Sequence, residues 1–173
     1  IGLILHLDGP QPAVEACLAM YDLDELPDSA DAWPIEDVGT IVQNDWDANC
    51  ILALRNSGLE VAAGQLAEAE LDVLSSAGTQ WPRLFTASLR ANIHDVMGNR
   101  DAWLEEARWL ADTGWPGWRG APPTTLEFNG VQIDEYDRDP EVQAVVDQTR
   151  ANAIEVRKAL AEDGLATLPS DVN

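Results

Sequence analysis

Met97-Gly98-Asn99-Arg100-Asp101-Ala102-Trp103-Leu104-Glu105-Glu106-Ala107 is the stretch that decides the fold. An apolar helical pattern runs up to Met97. Gly98 supplies the left-handed residue that commonly ends a helix. From Asp101 a second pattern begins, with Trp103, Leu104, Ala107 and Leu110 at helical spacing. The unit therefore reads as helix, tight turn, helix. The same arrangement surrounds Gly9 and Gly58, and each glycine has an alanine four residues later: Ala13, Ala62 and Ala102. A small residue recurs at the ninth position in two units, Ala67 and Ala107. A helical hairpin cannot bury its apolar face alone, so repeated hairpins stack. The expected fold is all-α, with about six to eight helices stacked as right-handed hairpins.

Working outward, Gly9-Pro10-Gln11-Pro12 opens a helix, since proline is pre-organised for the first helical position. Val14, Cys17, Leu18 and Tyr21 mark its inner face. The segment from Pro27 to Pro34 is a loop, and Ile35 to Val42 has the spacing of a short helix weakened by Gly39 and Thr40. Asn44 or Asp45 is placed to cap the next helix, which carries Cys50, Ile51, Ala53 and Leu54 inward. Glu60 to Ala77 forms a helix with Val61, Leu66, Ala67, Leu71 and Leu74 inside, and Gly64 as a defect or a close-packing point. Trp81-Pro82 opens another, with Leu84, Phe85, Leu89, Ile93, Val96 and Met97 as its stripe.

A long connection follows from Gly114 to Gly130. Around Asn129-Gly130 it reads either as a short hairpin of strands or as a packed loop. Asp139-Pro140-Glu141 then starts a terminal helix with a cap, a proline and a first-turn acid. That helix runs to about Asp163, striped by Val142, Val145, Val146, Thr149, Ala153, Val156 and Leu160. The last residues read as a loose tail.

The Met97–Ala107 unit and its relatives resemble degenerate tetratricopeptide (TPR) repeats over about residues 47–163. The spacings, 40 residues from Gly58 to Gly98 and 49 from Gly9 to Gly58, exceed the TPR period of ~34. Asp139-Pro140-Glu141-Val142-Gln143 is similar to the C-terminal segment of TPR regions in bacterial signalling proteins, among them membrane-anchored transcriptional regulators and adenylate-cyclase-type proteins. The resemblance implies a single helical-repeat domain over 1–173 that binds a protein or peptide segment and is the C-terminal part of a longer protein. The apolar start at Ile1 gives the same expectation of an upstream region.

Composition bounds the function classes. The 173 residues carry a net charge of −21 and 46% apolar residues. The first basic residue is Arg55, so residues 1–54 hold acids and no Lys or Arg. Such a field repels phosphate backbones and anionic membrane surfaces, and it suits either plain solubility or a basic partner. No apolar run approaches the ~20 residues of a membrane span. The reading leaves cytoplasm and periplasm open.

Chemical motifs are sparse. His6 and His94 belong to no metal pattern, and the acid run from Asp22 to Asp31 fails as a calcium loop because Pro27 and Trp33 stand at the glycine and glutamate positions. No phosphate loop, dinucleotide fingerprint or nucleophile elbow occurs. The expectation is no cofactor, no metal and no enzyme; an acid pair such as Glu105-Glu106 would be the only route to hydrolysis. Cys17 and Cys50 sit in apolar contexts that suit small buried thiols, and their pairing requires Cα atoms within ~7 Å. Among seven tryptophans, Trp103, Trp109, Trp115 and Trp118 cluster around one helix end and its loop. They are the candidate ligand site, an aromatic lining that an acidic field would tune to a cationic ligand. The alternative is that the indoles fill gaps between irregular hairpins. The two functions are therefore an interaction module and, alternatively, a small-ligand sensor.

Overall fold

The computed structural model describes residues 10–45, 48–77, 80–116 and 139–163. These residues form seven α-helices and one short 3-10 turn, with no strand among them. The helices are α1 (Pro10–Met20), α2 (Val38–Asn44), α3 (Asn49–Asn56), α4 (Glu60–Ser76), α5 (Arg83–Met97), α6 (Arg100–Asp112) and α7 (Pro140–Glu162), with the 3-10 turn at Ala30–Ala32. The chain is all-α. The segment around Asn129-Gly130, Gly9 and the tail lie outside the described residues.

The glycine turns act as the sequence implies. Gly58 and Gly98 have φ of +74° and +73°. After each, the next amide reaches back five residues: Leu59 donates to the Leu54 carbonyl at 2.9 Å and Asn99 to that of His94 at 2.8 Å. This closes the orphaned carbonyls of α3 and α5 and reverses the chain within two residues. The results are two hairpins, α3–α4 and α5–α6. Helices also touch across hairpins: α1 packs on α3, α4 on α5, α3 on α5 and α7 on α6. Arg55 donates to the Val96 carbonyl, which ties the C-terminal ends of α3 and α5 together.

Two cores meet at α5. One gathers Val14, Cys17, Tyr21, Trp33, Ile41, Ile51, Leu54, Leu66 and Leu74 against Leu89, Ile93 and Val96. The other packs Ala87 and Ala91 of α5 against Trp103, Leu104, Leu110, Trp115, Val142 and Val145. Helix α5 is thus buried around most of its circumference, including Thr86, Ser88, Asn92 and Asp95.

That placement corrects parts of the apolar stripes. Leu84 is 37% exposed, because α5 turns its alanines and small polar residues, rather than its first leucine, into the second core. Val61 is 76% exposed, because α4 buries the face carrying Ala62, Ala63, Leu66, Ala67, Glu70 and Leu74. The stripe of α7 is buried through Val142, Val145, Thr149 and Ala153, but Val156 and Leu160 are 40% and 39% exposed where the helix outruns α6. Of the expected caps, Asp139 stands at the N-cap of α7, whereas Ala48 holds that position in α3 and Asn44 ends α2. Asp139 accepts from the Glu141 amide at 2.9 Å with Pro140 in the first helical position. Asp45 acts at a distance, its carboxylate accepting from the Cys50 and Ile51 amides at 2.8 and 3.4 Å across a left-handed Ala48.

Cys17 and Cys50 are joined in a disulfide, with Cα atoms 5.4 Å apart. The sequence leaves the pairing open, and this distance meets the condition for it. The packing of α1 on α3 brings both to the same point, at 1% and 0% exposure.

Two outcomes follow for stability. Replacing both cysteines by serine removes a cross-link spanning 33 residues and costs roughly 3–4 kcal/mol on the chain-entropy account, read by urea unfolding. Glycine-to-alanine changes have opposite signs at two sites with open space around the added Cβ. Gly64→Ala, inside α4, stabilises by about 0.5–1 kcal/mol. Gly98→Ala, forced to positive φ, destabilises by about 1–2 kcal/mol. Equal effects at the two sites would contradict the turn assignment.

Candidate functional site

Helix α6 turns Trp103, Leu104, Ala107, Leu110 and Ala111 inward, as its 3–4 residue spacing dictates. Trp103 and Trp115 end up 3% and 5% exposed inside the second core, in space left by Ala87 and Ala91. The turn after α6 carries Trp115 back, its amide donating to the Leu110 carbonyl at 3.1 Å. Trp109 lies half-buried on the outer edge of that core, and the Arg83 guanidinium carbon stands 4.3 Å above its ring centre. Trp118 lies outside the described residues. Of the four candidate indoles, two are therefore core residues, and the one at the surface already has a cation over it.

Beside this core a groove of about 400 Å³ runs between α6 and α7. Arg108 and Asp112 line it from α6, Glu141, Val145 and Gln148 from α7. Ion pairs join α6 to the start of α7 in and beside the groove. Arg108 donates to Glu141 at 2.5 Å, and Arg100 donates to Asp139 at 2.6 Å and to Glu141 at 2.7 Å. The hydrogen bonds from Arg100 hold the Asp139 and Glu141 carboxyls below their ordinary values, with Arg108 adding to the effect on Glu141. They hold the Arg100 guanidinium firmly charged. The groove has the chemistry of a charged helix–helix seam, with ion pairs between α6 and the start of α7.

The most unusual group lies in the other core. Glu70 is 0% exposed. The Tyr21 hydroxyl donates to its Oε1 at 3.0 Å, while Oε2 has no hydrogen-bond partner among the described residues. Burial first, and then the nearby Asp45 carboxylate, push the Glu70 carboxyl well above the ordinary glutamate value; the Tyr21 hydrogen bond opposes them. Burial and the same two acids push the Tyr21 phenol up. Trp33 stands edge-on to Tyr21, ring centres 5.4 Å apart, and its buried Nε1 also lacks a partner.

Glu70 was not legible as a buried acid from its charge, yet its position is. It falls four residues after Leu66, three after Ala67 and four before Leu74, on the apolar face of α4. His94 is half-buried, and burial lowers its imidazole, with Glu106 opposing. Among the described residues no group of His, Cys, Asp and Glu is arranged to hold a metal ion, and no helix is long and apolar enough to cross a membrane. No family model matches the chain, and neither a curated protein nor a solved structure matches it.

The buried carboxyl sets a sign for stability against pH. The folded chain keeps a proton on Glu70 that the unfolded chain releases above about 4.5. The contribution is full below that value and declines as pH rises toward the raised folded value. The folding constant should fall by up to about tenfold per pH unit over that window. Glu70→Gln should flatten that slope in urea titrations between pH 5 and 8.

Proposed function

We propose that this chain is a non-enzymatic interaction module, a stack of TPR-like helical hairpins within a larger bacterial signalling or regulatory protein, that binds a basic protein segment. The observation that carries the reading is the surface of the first unit. Glu15, Asp22, Asp24, Glu25, Asp28, Asp31, Glu36 and Asp37 are all exposed, and no Lys or Arg occurs before Arg55. An unneutralised field of one sign steers and selects partners of the other. The hairpin arrangement supports the reading: α3–α4 and α5–α6 repeat the same Gly-turn geometry, and α3 also touches α5, so successive units stack. The ionisable groups add to it, because Arg108 and Glu141 pair across the groove between α6 and α7 and Glu70 is sealed from solvent. A cationic ligand held by the four tryptophans has less support, with Trp103 and Trp115 inside the core.

The disulfide bears on compartment. Such bonds persist where the surroundings are oxidising and are rare in the reducing cytosol, which favours the periplasm of the two compartments that the composition leaves open.

The test compares the chain with a variant carrying Asp24→Asn, Glu25→Gln, Asp28→Asn and Asp31→Asn. Both are immobilised and exposed to source-cell extract at low and high salt. A partner held by the native chain should bind the variant on the order of tenfold more weakly, and salt should release it. A partner retained equally by both, at either salt, would remove the acidic surface from the reading.

A further inference from the structure

Three features of the first core meet within one helical turn. Cys17 lies on the buried face of α1, and Tyr21, buried in the turn just after the helix, donates its amide to the Cys17 carbonyl at 3.3 Å. Cys17 is bonded to Cys50 at the start of α3, and the Cys50 amide donates to Asp45 at 2.8 Å. Tyr21 donates to Glu70 of α4 at 3.0 Å. The end of α1, the link before α3 and the middle of α4 are therefore drawn together around one carboxyl. The groups acting on that carboxyl are Tyr21 from the end of α1 and Asp45 from the α2–α3 link. The first is a neutral donor and the second an acid, and Oε2 has no hydrogen-bond partner among the described residues. A negative Glu70 in this position would be dry, half-bonded and beside a like charge, and the way to relieve all three is to admit water.

We propose that the Glu70 carboxyl is a proton-operated latch on the end of α1. While it carries its proton, the Cys17–Tyr21 turn stays closed over the disulfide; losing the proton opens that turn and exposes the Cys17–Cys50 bond to reductants. The latch stands on the packing of this core alone and is independent of any partner.

The experiment reads the reduction rate of the disulfide by a water-soluble trialkylphosphine. The phosphine attacks one Sγ, the other leaves as a thiolate, and water completes the exchange to give two thiols and the phosphine oxide. The closed bond is sealed, with Cys17 at 1% and Cys50 at 0% exposure, so reduction reports opening. The wild-type rate is divided by that of Glu70→Gln at each pH, which cancels the pH dependence of the reagent.

The ratio should climb by up to about tenfold per pH unit above the ordinary carboxylate range, because opening then releases one proton. A flat ratio would overturn the latch. Should Glu70→Gln fail to fold, the wild-type rate is normalised to that of oxidised glutathione, and the same slope is expected. Low urea should change the rate much less than it changes global unfolding; matching urea slopes would mean that the bond opens only with the whole fold, and would also overturn the proposal. Tyr21→Phe should raise the rate at every pH while keeping the slope.

Discussion

Helix α5 has solvent on almost no side, and the rest of the architecture follows from that constraint. Nine of its fifteen residues are buried, so it must carry small side chains wherever another helix comes close. Ala87 and Ala91 leave the room that Trp103 occupies, while Leu89, Ile93 and Val96 complete the other core. Polar residues on so crowded a helix need partners. Arg90 meets Glu106 of α6 in a two-pronged contact at 2.6 and 3.2 Å, both side chains largely shielded. A shared wall of this kind fixes the relation of the two hairpins more firmly than either hairpin could by itself.

How much of this was visible beforehand depends on the range of the interaction involved. Local rules carried well. The turns at Gly58 and Gly98, the inward face of α6 and the Asp139-Pro140 helix start are decided within a few residues, where backbone sterics and amide satisfaction act. Properties that need a neighbour's position did not carry. Val61 and Leu84 look like core residues by type, and only the packing of α4 and α5 turns them outward. Glu70 shows the reverse, a charged residue type on a core position. Its burial depends on Tyr21, 49 residues away, as its partner. The Cys17–Cys50 bond and the burial of Trp103 and Trp115 are likewise consequences of which helices lie side by side.

The charges divide the molecule unequally. Basic residues first occur at Arg55, and several in the later helices pair with acids: Arg55 with Glu60, Arg90 with Glu106, Arg100 and Arg108 with Glu141, Lys158 with Glu155. Exposed pairs of this kind contribute little stability individually. Residues 55–173 still carry twenty acids against ten bases, but this excess is spread over more than twice the length that holds the eleven acids of residues 1–54, so the field is densest on the first unit. Salt therefore acts most strongly per residue there, by screening repulsion among carboxylates in a segment without Lys or Arg.

The glycine turns also shape how the chain is assembled. Each of α3 through α6 has its main partners within two helices in the sequence, and the turns at Gly58 and Gly98 join neighbours without a long loop. Contacts of short sequence separation form with small losses of chain entropy, which favours rapid folding. With earlier helices formed first, each hairpin can close on one already made, and the Cys17–Cys50 bond needs nothing later than α3.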